Sequence, residues 1–366
     1  MKKDKHRIII GGEHTFSPLF LFRRSRSYID KLTNSFKDDY NVNFTFGGFY
    51  SLLAIIDDLK PTFNKDSYVL LPSYLCPSML APFKIRNIKY CFYKVDADLY
   101  VDVDHLISII NSNVKAVLFI DYFGASQKKR LANVPNLLRE KNIKIIQDLV
   151  QCVSIDKNQF IGDYMYNSFR KYLPFEGSLL LSKTKMNITF SRPNCKYWVN
   201  RRIGQLIRYY HLKYNIFSSN RFLSLFKKAE DYYSSEVVVR MPKHHKWLLN
   251  KIDIDLFCHN QRYYYKELFT EYGEMIPKLL QNDNYVPLGF VIKTSNRNQI
   301  RGDLFEKGIY PPIHWLQSEE IDKQIYSDSI MLSGCILTIP LFGLNEAKSQ
   351  YLSDNLKTIL KPRECI

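Results

Sequence analysis

A carboxylate, an amide, a hydroxyl and a lysine follow one another in one short stretch of this sequence. Asp148 ends an apolar run, Gln151 comes three residues later, and Ser168 and Lys171 lie about twenty residues further on. A carboxylate can keep a pyridine nitrogen protonated, a lysine can form a Schiff base, and a hydroxyl can hold a phosphate. This order of groups is typical of a pyridoxal-phosphate site.

Each of these residues also has an ordinary structural interpretation. An Asp at a strand end often caps a turn or helix, and an Arg-Lys pair in a loop is usually solvated. Upstream, Gly47-Gly48 precedes an apolar helix, and the backbone N–H groups at a helix N-terminus suit a phosphate. A Gly pair also forms common turns, so spacing alone leaves both interpretations open.

The elements that must position these residues alternate in type between about residues 45 and 185. The predicted strands are 68–71, 88–95, 116–121, 144–147, 164–169 and 179–182. The predicted helices include 50–58, 105–111 and 134–141. Alternating strands and helices are typical of an α/β domain with a mostly parallel sheet, which binds ligands at the carboxyl ends of its strands. The residues that follow these strands are therefore the candidates for a site.

The second half of the chain differs in character. Residues 192–251 carry 13 Lys and Arg against 3 Asp and Glu, a local charge of +10, within several helical segments. After them the pattern predicts a long helix (252–272), then a strand (288–293), a helix (298–307), a strand (335–341) and a closing helix (346–360). We predict a large cofactor-binding domain over 1–250, which includes the basic segment, and a small α+β domain over 251–366.

Composition narrows the class of protein. The 366 residues are 46% apolar and 24% charged, which excludes a disordered or fibrous chain, and the net charge of +16 favours anionic partners. Seven cysteines without a CxxC pair indicate neither a disulfide framework nor a zinc knuckle, and His244-His245 has no second ligand cluster, so no metal is expected. We find no signal-peptide core and no run of about 20 apolar residues. These features predict a cytoplasmic protein without a membrane span.

A series of motifs runs through some 300 residues of the chain. They are Leu71-Pro72-Ser73-Tyr74-Leu75-Cys76-Pro77, Ile120-Asp121-Tyr122-Phe123-Gly124, Gln147-Asp148-Leu149-Val150-Gln151, Ser168-Phe169, and the segments 289–293, 308–315 and 338–342. In this order the sequence resembles the DegT/DnrJ/EryC1/StrS group of fold-type-I pyridoxal-phosphate enzymes, which are sugar aminotransferases. The lysine lies three residues after the Ser, where that group commonly has five, and Gly177-Ser178 replaces its Gly-Gly.

The resemblance implies a role for each matching residue at the cofactor ring. Lys171 would be the Schiff-base lysine, and Asp148 the partner of the pyridine nitrogen. Gln151 would lie beside the ring hydroxyl, and either Tyr74 or Cys76 over the ring face.

The phosphate and the substrate have their own candidates. Ser168 and the backbone amides of Gly48, Phe49 and Tyr50 would hold the phosphate. His314, Arg201 and Arg202 are candidates for substrate contacts, with a buried and satisfied histidine as the alternative for the first. The basic segment would attract the phosphates of the substrate.

The implied function is amino transfer, by pyridoxal phosphate, from an amino donor such as glutamate to a keto group of a nucleotide-linked sugar, in a homodimer. The alternatives are another pyridoxal-phosphate reaction on the same fold, such as dehydration, and a basic anion-binding protein without catalysis. Nucleic acid is not expected as a partner, because the sequence contains none of the standard modules. Peripheral contact with an anionic membrane stays open for the basic segment.

Overall fold

The computed structural model describes residues 8–282 and 285–360. Its strands are β1 (Ile10–Gly11), β2 (Asn41–Thr45), β3 (Tyr68–Pro72), β4 (Lys89–Tyr93), β5 (Val114–Ile120), β6 (Lys144–Leu149), β7 (Tyr164–Asn167), β8 (Ser178–Ser182), β9 (Phe290–Lys293), β10 (Ile309–Tyr310) and β11 (Ile336–Ile339). Seven of them form one sheet in the order β2-β8-β7-β6-β5-β3-β4. β8 runs antiparallel to both of its neighbours, whereas the remaining pairs are parallel. The sheet is therefore mostly parallel, as the sequence predicts.

Helices follow most of the parallel strands. They are α1 (Tyr28–Phe36), α2 (Gly48–Leu59), α3 (Ala81–Arg86), α4 (Val103–Ser108), α5 (Val134–Glu140), α6 (Cys195–Tyr214), α7 (Ser219–Glu230), α8 (Lys243–Leu249), α9 (Ile254–Tyr272), α10 (Arg297–Glu306), α11 (Ser327–Cys335) and α12 (Glu346–Ile359). Within the described ranges, none of these helices is long and apolar enough to cross a bilayer.

Both faces of the central sheet are covered. On β7 and β8, Tyr164, Tyr166 and Leu180 belong to the large apolar cluster that contains most of α2. Their sequence neighbours Met165 and Leu179 belong to a second cluster with α1 and α8. Alternate residues of a strand point to opposite faces, which explains why these strands are apolar without interruption.

The two smaller sheets are separate from the central sheet. β9 pairs with β11 in antiparallel register, and β1 pairs in parallel with β10, so that Ile10 lies beside Ile309. A strand from the start of the chain thus joins the region after residue 251. The division into domains of 1–250 and 251–366 stays a prediction, and residues 1–7, 283–284 and 361–366 of those ranges lie outside the described residues.

The predicted elements are present, with ends that shift by three residues at most. The predictions do not include α1, α3, α11, β1, β2 and β10. β2 is short, and in Asn41-Val42-Asn43-Phe44-Thr45 only two residues are strongly apolar; it exists because it pairs with β8, far along the chain. Such pairing depends on tertiary context more than on local propensity.

Candidate active site

Asp148 lies where the parallel strands end. On β6 it is in register with Ile120 of β5 and with Tyr166 of β7. The carboxylate accepts the N–H of Val150 at 2.7 Å on Oδ1 and the hydroxyl of Tyr166 at 2.7 Å on Oδ2. Burial raises the pKa of Asp148 to about 6, although both hydrogen bonds act in the opposite direction. Asp148 is thus a buried acceptor that is ionised at neutral pH.

Lys171 reaches the same edge of the sheet through a short turn. β7 ends at Asn167, Ser168 is still extended, and a 3₁₀ turn covers Phe169–Lys171. The N–H of Phe169 donates to the Gly177 carbonyl at 2.9 Å and closes the loop. Burial lowers the pKa of the Lys171 amine, and the nearby Arg170 lowers it further, while Cys76 and Asp148 oppose the shift. The spacing of three residues from Ser168 to Lys171 is therefore long enough to bring this lysine near Asp148.

One cavity collects most of the predicted cofactor residues. Seven of the nine line it, namely Gly48, Phe49, Cys76, Asp148, Gln151, Ser168 and Lys171. They come from α2, from the last residues of β6 and from the segments that follow β3, β6 and β7. The carboxyl ends of parallel strands meet at one edge, so residues far apart in sequence converge there.

The other two lie elsewhere. The N–H of Tyr50 donates to the Gly47 carbonyl at 3.0 Å, so it is not free to bind a phosphate. Tyr74 is completely buried, and its hydroxyl donates to the backbone carbonyl of His314. Cys76, not Tyr74, therefore lines the cavity after β3.

Two kinds of donor in this cavity have spare capacity. The amide of Gln151 accepts the N–H of Phe123 at 2.9 Å through Oε1, while its buried Nε2 has no partner among the described residues. At the start of α2 the N–H of Ser51 donates to Gly47, so the N–H groups of Gly48 and Phe49 lack intrahelical acceptors. A planar polar ring with a phosphate would satisfy both.

Several residues that line the cavity were not singled out from the sequence. They are Tyr166, Arg170, Tyr233 and Trp315. Arg170 pairs with Glu230 at 2.8 Å, and its guanidinium carbon lies 4.5 Å from the centre of the Tyr233 ring. For Arg170 the sequence offered a solvated Arg-Lys pair as one of two interpretations, and no local signal connected Tyr233 with this site.

A second cavity adjoins the first at Arg170 and Lys171. It is also lined by Glu13, Arg201, Arg301 and His314. His314 bonds Thr338 through Nδ1 at 2.9 Å, and burial lowers its pKa to about 3, so the ring is neutral. Arg201 donates from Nη2 to Glu13 at 2.6 Å, and its buried Nη1 has no partner among the described residues. Two of the three predicted substrate residues therefore lie beside Lys171.

Arg202 does not lie beside Lys171. Its Nη2 pairs with Glu176 at 2.9 Å, its Nη1 donates to the Pro174 carbonyl at 2.6 Å, and its guanidinium lies 4.9 Å from the centre of the Phe175 ring. Arg201 and Arg202 are consecutive on α6, so their side chains leave the helix about 100° apart. Arg202 is not among the residues that line the cavity with Lys171, and its contact with substrate stays a prediction.

Comparison with known proteins bears on the fold. Neither a family model nor a curated protein matches this sequence. Among solved structures, the aminotransferase TlmJ from Streptoalloteichus hindustanus matches with a TM-score of 0.67 and 13% identity over 96% of this chain and 99% of its own. NtdA from Bacillus subtilis, solved with its cofactor PMP bound, matches with a TM-score of 0.65 and 12% identity over 95% of this chain and 78% of its own.

A third match carries the family's own description. A DegT DnrJ EryC1 StrS aminotransferase from Brucella abortus has a TM-score of 0.65 and 14% identity over 94% of this chain and 91% of its own. Matches at such low identity establish the fold and leave the chemistry to be argued from the residues. The chain therefore has the fold of the DegT/DnrJ/EryC1/StrS aminotransferases, which confirms the fold that the motifs of its sequence predict.

Proposed function

We propose that this protein is a pyridoxal-phosphate-dependent aminotransferase that moves an amino group from an amino donor to a keto group of a nucleotide-linked sugar, in surface-polysaccharide or secondary-metabolite biosynthesis. The observation that carries the proposal is the opening of Lys171 and Asp148 into one cavity at the carboxyl ends of parallel strands. A Schiff-base lysine and a carboxylate for the pyridine nitrogen are the two protein groups this chemistry needs. The same fold in NtdA holds PMP.

The residues of the cavity fit pyridoxal phosphate. Gln151 has a buried N–H₂ group, without a partner in the described part of the chain, for the ring hydroxyl, and the backbone amides of Gly48 and Phe49 suit the phosphate, with the Ser168 hydroxyl lining the same cavity. Gly47 is also required, since a Cβ there would overlap the Tyr233 hydroxyl. Tyr233 and the free amides are therefore close enough to act on one phosphate.

The bound cofactor would supply a carbonyl carbon that condenses with amines and a ring that withdraws electrons from it. Lys171 must be neutral to act as a nucleophile, and the burial that lowers its pKa favours the neutral form. The same Nζ would serve as the general acid/base of the 1,3-prototropic shift, in which a proton leaves one carbon bonded to the transferred nitrogen and is returned to the other. Asp148, ionised above about pH 6, would hold the ring N–H cation.

The second cavity suits an anionic substrate. Arg170, Arg201 and Arg301 line it, against the carboxylates of Glu13 and Glu230. Because the guanidiniums outnumber the carboxylates, the cavity carries a net positive charge in a partly buried setting, where screening by salt is weak. In this proposal Arg201 Nη1 binds a phosphate or carboxylate oxygen of the substrate, and neutral His314 contacts its uncharged part.

We also propose a homodimer, a cytoplasmic location and the two domains predicted above. The six cysteines within the described residues are free thiols, which suits a reducing compartment. The sheet of β9 and β11, built after residue 251 and separate from the central sheet, supports a distinct small domain. Cross-linking with mass analysis would test the dimer.

The test of the function is spectroscopic and chemical. Protein reconstituted with pyridoxal phosphate should absorb in the visible, lose that band on borohydride reduction, and yield one labelled peptide that contains Lys171. Lys157→Ala is the matched control, because Lys157 lies on an exposed turn and pairs with Asp39. Labelling of another lysine would refute the assignment of Lys171, and no labelling at all would refute the cofactor.

A further inference from the structure

The connection between α6 and α7 presents apolar side chains to solvent. We call residues 210–223, which comprise the end of α6, the loop and the start of α7, the hairpin tip. Between 37% and 53% of the surface of five large side chains is exposed there, namely those of Tyr210, Tyr214, Ile216, Phe217 and Leu223. An exposed group of this kind marks a contact surface more often than isolated apolar residues do.

The exposed apolar side chains of the hairpin tip do not belong to the face of α6 that packs on the protein. The opposite face of α6 is already buried, through Arg201, Gly204, Gln205 and Arg208. The loop itself is fixed, because His211 Nδ1 lies 2.8 Å from the Phe217 carbonyl. Phe217 has a φ of 69°, a conformation that bulky residues rarely adopt. The fold thus holds this ring outward in a defined place.

Cations accompany the apolar groups. Lys213 and Arg221 are exposed on the hairpin tip and lie over the rings of Tyr214 and Phe217, at 5.1 and 5.7 Å from the ring centres. Lys227 and Lys228 continue the charge along α7. The sequence contains no acidic residue between Glu176 and Glu230. The surface is therefore both apolar and uniformly positive.

We propose that the hairpin tip docks this protein on an anionic lipid surface. Aliphatic and aromatic side chains enter the boundary between headgroups and acyl chains, while lysine and arginine pair with acidic headgroups. A second copy of the chain fits less well, because two such tips would bring cations together without a carboxylate to pair with them. Nucleic acid would neutralise the cations but offer no apolar environment to Ile216 and Leu223.

The test is sedimentation of the full-length protein with vesicles, and it is independent of the cofactor. We expect binding to vesicles of 70% phosphatidylcholine and 30% phosphatidylglycerol, and little binding to phosphatidylcholine alone. Lys213→Ala with Arg221→Ala should weaken binding about 25-fold, since each basic residue near such a surface contributes about fivefold. Ile216→Ser with Phe217→Ser should weaken it at least as much.

Matched controls are Ile325→Ser and Met331→Ser, whose side chains are exposed to a similar degree (51% and 44%) outside the hairpin tip. They should bind the anionic vesicles like the parent, and circular dichroism should show every variant folded. Equal binding to both kinds of vesicle, no binding to anionic vesicles, or unchanged binding by the tip variants would overturn the proposal. If the parent protein does not bind vesicles and the substitutions in the hairpin tip dissociate it into monomers, the occupant of this surface is a second copy of the chain.

Discussion

Two buried carboxylates in this protein have opposite surroundings. Asp148 is 3% exposed, its hydrogen bonds come from a backbone N–H and a hydroxyl, and burial raises its pKa to about 6. Glu176 is 1% exposed; burial raises its pKa too, but Arg202, His245 and Arg201 outweigh that effect and hold the pKa at about 2. The cost of burying the charge of Asp148 is poorly offset by its neighbours, whereas that of Glu176 is strongly offset by nearby positive groups.

The difference distinguishes the candidate active site from a cluster of paired charges inside the fold. Around Asp148, Nε2 of Gln151 has no partner among the described residues, and the amine of Lys171 has a lowered pKa. Around Glu176, Arg202 and the Tyr197 hydroxyl both donate to the carboxylate. Under-compensated buried groups are costly, so they mark places where a bound group completes the interactions. Four predictions test this contrast, from the largest expected effect to the smallest.

Lys171→Ala should have the largest effect. Removing the amine removes both the nucleophile and the proton carrier, so the rate of the half-reaction with the amino donor should fall about 10⁴-fold. The measurement is the single-turnover change in cofactor absorbance. Lys157→Ala should retain the parent rate, and a comparable rate in Lys171→Ala would mean that this lysine does not carry the chemistry.

Asp148→Asn keeps the shape of the side chain but removes its charge. The rate of the same half-reaction should fall about 10³-fold, because no carboxylate balances the ring cation. A carboxyl whose pKa is raised on folding stabilises the protein at low pH and loses that contribution as pH rises from about 4 through about 6. The cofactor-free variant should therefore be at least as stable as the parent at pH 8. A strongly destabilised variant with a normal rate would make Asp148 a structural cap.

Glu176→Gln should affect stability and spare the chemistry. It leaves Arg202 without its buried counter-charge, so the free energy of unfolding in urea should fall by about 3–5 kcal/mol. A depressed carboxyl pKa stabilises the folded state above about pH 4.5, and this contribution is lost as pH falls towards 2. The variant should lose that part of the acid dependence. Glu140→Gln, at an exposed position, is the control, and a parent-like stability of Glu176→Gln would contradict the contrast.

Arg201→Gln and Arg202→Gln form the finest comparison. Arg201 lines the cavity beside Lys171, so its loss should raise the KM for an anionic keto substrate about tenfold, the effect of one charged hydrogen bond. Arg202 faces Glu176, so its loss should lower stability and leave the KM of the folded enzyme unchanged. Equal KM values in both variants would return Arg201 to a structural role.

The sequence predicted the central sheet and much of the candidate site. Asp148, Gln151, Ser168 and Lys171 were identified from their order after apolar runs, and all four line one cavity. This worked because strand ends of a parallel sheet meet at one edge, whatever the length of the connections between them. The order of these residues along the chain is then nearly enough to predict that they lie close together.

Charge along α6 was less informative. The +10 balance of residues 192–251 predicted a segment that attracts the phosphates of the substrate, yet Arg201, Arg202 and Arg208 are mostly buried and the hairpin tip exposes apolar side chains. Composition counts the charged residues but does not say where their side chains point. Their direction depends on which face of a helix the rest of the chain covers.

The sequence by itself determined which groups are present for chemistry and the strand ends on which they lie. Only the tertiary structure decided that Cys76 and not Tyr74 lines the cavity and that Tyr233 joins it. It also decided that Arg201 lines the cavity with Lys171 while Arg202, which shares Glu176 with it, does not. The physical reason is that strand periodicity and sheet order act locally and repeat regularly. The partner of a single side chain, in contrast, is set by packing between segments that are distant in sequence.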